Sequence, residues 1–213
     1  MKVTWIGHAC FKVESGGYSI VIDPYEDGSI PGLAPVRERA NRVLCSHGHF
    51  DHNAAHNVEL VDPGAPERIH VIELETFHDD QQGKLRGTTK IFVLDDGETR
   101  VVHMGDIGCA LSEAEKVFLA GADVLLIPVG GTYTIGPREA AYLTLELDAR
   151  YTVPMHYSSK EESFGLSNIG NVYDYAGLLS GIVILSTSTV DTDNDLPGRV
   201  IILQPANRAG TAV

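Results

Sequence analysis

The order of hydrophobic patterns along this chain predicts an α/β fold, with sheets at the centre and helices packed outside them. Two observations carry that expectation. Short alternating or wholly apolar runs come first in hairpin-like groups, from Val3 to Ile22 and again from Thr89 to Met104. After residue 112, such runs alternate with helix signals. A third observation marks where chemistry is expected. His47-Gly48-His49-Phe50-Asp51-His52 crowds three imidazoles and a carboxylate into six positions, directly after an apolar run.

Taken in order, Val3–Ile6 reads as a first strand, turned by Gly7-His8-Ala9 into an alternating strand from Cys10 to Glu14. Ser15-Gly16-Gly17 is a hairpin turn, and Tyr18–Ile22 is an apolar strand ending at Asp23-Pro24. Residues 25–40 carry Gly28, Pro31, Gly32 and Pro35 and read as loop; Arg42–Cys45 reads as a short buried strand. A short helix is expected within 53–59, loop over 61–66 and a strand from Ile69 to Leu74. Thr89–Leu94 and Arg100–Met104 flank Asp95-Asp96-Gly97-Glu98, a strong turn signal. Ser112 and Glu115 form a capping box that opens a helix to about Ala120. Val124–Pro128 is a buried strand. Pro137 opens the next helix at its first position, where its missing N–H costs nothing. Ala140, Ala141, Leu143, Leu145 and Leu147 are the expected apolar face of that helix. Tyr151–Met155 is a strand leading to His156; a helix within 171–179 and strands at Ile182–Leu185 and Arg199–Leu203 follow.

Nothing in the 213 residues has the composition of a linker, so one domain over 1–213 is expected. An apolar share of 43% with 21% charged residues suits a globular chain, and a chain of this size buries a core without disulfides. Three cysteines cannot all pair; Cys10 and Cys45 fall in apolar runs and read as small reduced core residues. No apolar run approaches ~20 residues, so no membrane-spanning helix is expected. Met1-Lys2-Val3-Thr4-Trp5 enters a strand without the layout of a secretion signal, and the expected location is cytoplasmic. A formal net charge of −13 without a Lys/Arg cluster disfavours nucleic acid and anionic membrane as partners.

Imidazole and carboxylate are ligands for zinc and its neighbours. Side chains alternate along extended chain, so His47 and His49 can share one side, while Asp51 and His52 reach a second point after the turn. That spacing suits two metal ions better than one. A third imidazole for the His47/His49 point comes from His8, His56, His70, His78, His103 or His156; His70 sits inside a strand, whereas His78 stands at a strand-to-loop exit. Asp106 ends a hairpin strand after Gly105, which lets the backbone pass close to something. Asp23 either accepts the second N–H of a ligand imidazole or starts the turn before Pro24. His103 either supports the site or is a plain strand residue. Gly130-Gly131-Thr132-Tyr133 lies between a strand and a helix, where backbone N–H groups can bind an anion or a developing oxyanion. Thr132 and Tyr133 are candidate substrate contacts.

H-x-H-x-D-H after a short strand resembles the signature of the metallo-β-lactamase-fold hydrolases. Further matches over about residues 1–157 resemble the branch of L-ascorbate-6-phosphate lactonase and related metal-dependent hydrolases. The resemblance implies a four-layer αββα sandwich with the metal site at one edge between the sheets. It implies His78 as the third ligand beside His47 and His49, and His156 in Pro-Met-His beside Asp51 and His52. Asp106, in the Gly-Asp motif, is the implied bridge between the two groups. The branch often continues with Thr where this chain has Ile107, which leaves the carboxylate untouched. His8 matches a motif near the active-site edge, with a structural role or one in substrate contact. Two divalent ions are implied, zinc first, with manganese, iron or nickel also suited to the ligands.

Hydrolysis of a small-molecule lactone, ester or phosphoester follows, with Asp51 and Asp106 as the catalytic carboxylates and no nucleic acid or membrane partner; the sequence sets no oligomeric state. A ribonuclease Z-like nuclease would share the ligands, but no basic track is evident. A binding or redox protein would use the site without hydrolysis, but redox diiron members of the superfamily usually carry Glu where His49 stands here.

Overall fold

The computed structural model describes residues 1–62, 64 and 66–209. In chain order the strands are β1 (Lys2–Gly7), β2 (Cys10–Ser15), β3 (Tyr18–Ile22), β4 (Glu38–Ala40), β5 (Arg42–Leu44), β6 (Val58–Leu60), β7 (His70–Phe77), β8 (Thr88–Asp95) and β9 (Arg100–His103). Helix α1 (Glu113–Leu119), β10 (Val124–Pro128), α2 (Pro137–Leu147), β11 (Tyr151–Met155), α3 (Val172–Ala176), β12 (Ile182–Ile184), β13 (Thr189–Asp191) and β14 (Val200–Ile202) complete the order. One sheet runs β13-β1-β2-β3-β5; a second runs β12-β14-β11-β10-β9-β8-β7; β4 and β6 pair apart from both. The α/β class expected from the sequence is the class observed.

The two sheets share one core. A single cluster of buried apolar side chains takes Trp5, Phe11, Ile20 and Ile22 from the first sheet and Ile91, Val101, Leu125 and Val153 from the second. Contacts cross between them: the Phe11 ring meets His103 edge-on with centroids 5.8 Å apart, and His103 Nε2 donates to the Ala9 carbonyl at 2.9 Å. All five residues of β10 and all five of β11 are buried, as expected of central parallel strands covered on both faces.

Strand direction positions the site. β1 and β2 pair antiparallel, as do β2 and β3, and β3 runs parallel to β5. In the second sheet β7 and β8 are antiparallel, as are β8 and β9, and β9, β10 and β11 are parallel. Thus β1, β3 and β5 end on one edge of their sheet, and β7, β9, β10 and β11 end on one edge of theirs. The residues leaving those ends are His8, Asp23, the 46–52 stretch, His78, Asp106, Gly130 and His156.

Several local expectations need correction. The 53–59 helix is a single 3-10 turn, Ala55–Asn57, followed by β6; its partner β4 lies inside the segment read as loop. Three-residue strands offer too little alternation to be seen. β13 was invisible for the same reason. β7 continues to Phe77, three residues past the expected end. On α2, Leu145 is 69% exposed, while Thr144 points inward and donates to the Ala140 carbonyl. At 100° per residue the buried stripe runs Ala140, Leu143, Thr144, Leu147, and Leu145 falls on the other face. Cys10 is buried as expected, but Cys45 is only half-buried, because β5 stops at Leu44 and the chain turns outward. Pro63 and Ala65 of the 61–66 loop lie outside the described residues.

Candidate metal centre

Each strand end is a bend that cannot continue its ladder, and the side chains there turn toward a common point. His47 and His49 meet in a bend, not on an extended strand as the alternation argument assumed, with His47 Nε2 3.0 Å from His49 Nδ1. His78, leaving β7, faces both, with ring centroids 4.6 Å from His47 and 5.0 Å from His49. His52 and His156 form a second cluster with Asp51, and His8 joins them. In each group one ligand atom per residue lies within 4.8 Å of all the others.

Asp106 stands between the groups. Its Oδ2 is 3.1 Å from His52 Nε2, 3.1 Å from His156 Nε2, 3.5 Å from His78 Nε2 and 4.0 Å from His47 Nε2. Gly105 is needed to bring it there: a Cβ at that glycine would sit 2.4 Å from the Lys90 carbonyl, and its φ is +53°. Thr89 Oγ1 accepts from the Asp106 amide at 3.3 Å. His103 Nδ1 accepts from the Gly105 amide at 3.1 Å, so the buried His103 braces the loop from beneath and contributes no atom to the clusters.

Of the two readings of Asp23, the structure shows a carboxylate that holds an imidazole rather than a side-chain turn before Pro24. Asp23 ends β3, and its carboxylate accepts His52 Nδ1–H at 2.9 Å and the Ser46 amide and hydroxyl at 2.6 Å each. Ser46 Oγ also lies 2.9 Å from His47 Nδ1, so one buried carboxylate orients imidazoles of both groups. Sequence reasoning missed Asp79. Its carboxylate accepts four backbone N–H groups, from Gln81, Gly83, Leu85 and Arg86, and shapes the loop that follows His78. An Asp followed at four residues by Gly83 was the available signal.

The electrostatics follow from burial and proximity. Burial opposes the charged form of Asp106, yet the imidazoles of His156 and His52 outweigh it and hold its carboxyl well below the usual range. Burial likewise opposes charging of His52, but the Asp106 and Asp23 carboxylates raise its pKa well above the usual histidine value. Burial, and then neighbouring His52, lower His47 to about 3; burial, and then His156, lower His8 to about 4.

The residues fit a divalent cation. His52 Nε2, His156 Nε2 and Asp106 Oδ1 are buried where the clusters meet and form no aligned hydrogen bond, although both nitrogens lie 3.1 Å from Asp106 Oδ2. Such groups gathered in one place would destabilise the fold unless something satisfies them. A cation does so for the nitrogens and carboxylate oxygens that converge.

The substrate candidates divide. Gly131, Thr132 and Tyr133 line a cavity of about 790 Å³ with Asp79, Arg86 and Gly108 in its walls. No member of either cluster lines it; Asp79, the chain neighbour of His78, and Gly108, near Asp106, are its links to them. Gly130 does not line it; it packs against the His156 carbonyl, which a Cβ there would meet at 2.2 Å.

The family profile described as the beta-lactamase superfamily domain matches residues 2–156, the segment that carries every member of both clusters. The chain belongs to the metallo-β-lactamase superfamily. A UPF0173 metal-dependent hydrolase of Pyrobaculum aerophilum is 29% identical over 195 residues, covering 75% of this chain and 85% of that protein. A UPF0173 protein of Pyrococcus furiosus is 31% identical over 187 residues, covering 76% and 86%. A crystal structure described as a proposed zinc-dependent hydrolase of this superfamily, from Thermotoga maritima, superposes with TM-score 0.72 at 31% identity over 95% of this chain and 97% of that one. This metallo-β-lactamase-fold protein is therefore a metal-dependent hydrolase with a His/Asp cluster able to bind metal. Among the described residues, no helix is long and apolar enough to cross a membrane.

Proposed function

We propose that this hydrolase works with two divalent cations, zinc first among them, on a small-molecule lactone, ester or phosphoester. The observation that carries the reading is the placement of Asp106 Oδ2 within 4.0 Å of imidazoles from both clusters. His47, His49 and His78 would hold one ion, and Asp51, His52 and His156 the other, with Asp106 shared. A divalent cation held there supplies Lewis acidity and lowers the pKa of a coordinated water.

The chain's own groups do the rest. Asp23 fixes the tautomer and angle of His52 through Nδ1, and Ser46 does the same for His47. Asp106 Oδ1 is a buried acceptor without a hydrogen-bond partner, so the shared carboxylate would keep a second oxygen for one of the ions. Asp51 is the second carboxylate at that edge. Thr132 and Tyr133, in the neighbouring cavity, are the contacts for the part of the substrate that does not react.

A net charge of −13 supports a small-molecule substrate over a nucleic acid and leaves anionic membrane disfavoured as a partner. The lactone end of the range rests on the sequence resemblance. Three free thiols support a reducing, cytoplasmic setting.

Protein purified without chelator is the test. It is assayed for metal content and screened against esters, lactones and phosphodiesters with added zinc or manganese. About two ions per chain, with turnover that chelator abolishes and metal restores, is the expected result. Turnover that survives complete removal of metal sinks the reading.

A further inference from the structure

His8 is the residue near the centre that the proposed ligand set leaves without work. It follows β1, is 1% exposed, and takes a left-handed backbone at φ +54°. Non-glycine residues rarely adopt that conformation, and they keep it where the surroundings over-determine it. Here they do. The His8 carbonyl accepts from Trp5 Nε1 at 2.9 Å and from the His156 amide at 3.2 Å. The His8 ring lies against the His156 ring with centroids 4.1 Å apart. Backbone and ring are both clamped, so the direction of the imidazole is set by the core.

That direction brings His8 Nε2 to 3.3 Å from Asp51 Oδ2. An ionised carboxylate can only accept, so Nε2 carries the proton and donates it. The same oxygen lies 3.7 Å from His52 Nε2. His8 Nδ1 is then a bare lone pair, buried and without a partner. If His8 instead bound a cation through Nε2, Nδ1 would carry the proton and be an orphaned buried donor. Orphaned N–H groups are rarer in folded proteins than under-satisfied acceptors. The hydrogen-bonding role of Nε2 therefore fits the surroundings better than ligation through that nitrogen.

We infer that His8 is a positioning residue of the second cluster: its Nε2–H holds Asp51 Oδ2 so that this oxygen faces His52 and His156. The inference rests on the two-ion reading above. It assigns the Asp51 subsite a dedicated hydrogen-bond donor, matching what Asp23 provides for His52. Both clamps sit on left-handed residues at the ends of parallel-directed strands, His8 at φ +54° and Asp23 at φ +49°.

The experiment measures the affinity of each of two zinc ions by competition with a chromogenic chelator, in the parent, His8→Leu and His8→Gln. Leucine keeps a Cβ and comparable bulk, so it meets the same backbone conformation without the donor. Glutamine can return an N–H near the position of Nε2. Partners of this kind typically change metal affinity about 10- to 100-fold when removed. His8→Leu is expected to weaken one ion by about that factor and leave the other within about threefold. His8→Gln is expected to recover most of the loss, and the visible spectrum of the cobalt-substituted protein is expected to change at one site only.

Unchanged affinities in His8→Leu overturn the inference. So does equal weakening of both ions with a lowered melting temperature, which marks a merely structural role. If His8→Gln binds as weakly as His8→Leu, the donor is not what matters, and the inference fails. A parent that takes up one ion sinks the two-ion reading instead; His8 is then judged on that ion, and unchanged affinity in His8→Leu again overturns its assignment.

Discussion

The two edges of the sandwich are built by opposite rules. At the edge away from the clusters, turns obey local chemistry: positive φ falls on Gly16, Gly17, Gly97 and Gly121, where no Cβ objects, and on Asp148 at the end of α2 as the exception. Polar groups there find partners nearby. Asp95 accepts from the Gly97 amide, and Asp96 accepts from the amides of Glu98 and Thr99 and from the Ser15 hydroxyl. At the cluster edge, positive φ falls on glycines such as Gly105 and Gly131 but also on His8, Asp23, Thr132 and His156, and buried nitrogens go unpaired. One edge is satisfied by itself. The other is strained and incomplete, and its residues make sense only in the presence of a ligand.

The sharpest way to break this contrast is Asp106→Asn, which keeps shape and an oxygen but removes the charge shared by four imidazoles. Loss of the two-ion state and a fall in hydrolysis of about a hundredfold or more are expected. Full occupancy with unchanged turnover in this variant would remove Asp106 from the centre. His156→Ala comes next: metal analysis is expected to drop from about two ions to about one, because His47, His49 and His78 remain. An equal loss of both ions would mean that the clusters do not act as separate sites.

Proton competition sharpens the comparison further. In the metal-free protein His52 has a raised pKa, so its charged form contributes stability that is fully present below the unfolded value and is lost as pH rises through the folded one. The lowered carboxyl of Asp106 works the other way, contributing above its unfolded value and losing that contribution as pH falls. A cation competes with a proton that the Asp106 and Asp23 carboxylates favour on His52, whereas His47 resists protonation down to about 3. On stepwise acidification the ion held by His52 and His156 is therefore expected to leave first. Calorimetry in buffers of different ionisation enthalpy is expected to show proton release on loading. Simultaneous loss of both ions, or loading without proton release, contradicts this ordering.

The smallest effect belongs to the satisfied edge. Asp96→Ala removes three hydrogen bonds from a turn and is expected to lower stability by about 1–3 kcal/mol in denaturant titration, with metal content unchanged. A change in metal affinity there would dissolve the distinction between the edges.

What the sequence disclosed follows the same divide. The Ser112–Glu115 capping box, Pro137 at the head of α2 and the bounds of β3, β10 and β11 were readable because each depends on its own few residues. His47 to His52 stood out by density alone. Their convergence with His78, Asp106 and His156 depends on which strands run parallel, a long-range property that no window of sequence contains. The meeting of His8 with Asp51 was hidden for the same reason, whereas Leu145 was misplaced although legible: apolarity alone assigned it to the buried face, and two residues, about 200°, separate it from both Leu143 and Leu147.

One consequence of that convergence concerns folding. His8 and the 47–52 stretch leave strands of one sheet, whereas His78, Asp106 and His156 leave strands of the other, and both clusters draw on both sheets. Neither sheet owns a complete set of donors, so no fragment limited to one of them can bind as the whole does. A cation held between the sheets would act as a bolt driven through the sandwich, joining chain segments far apart in sequence, and its binding free energy would add directly to the resistance of the two sheets to separation.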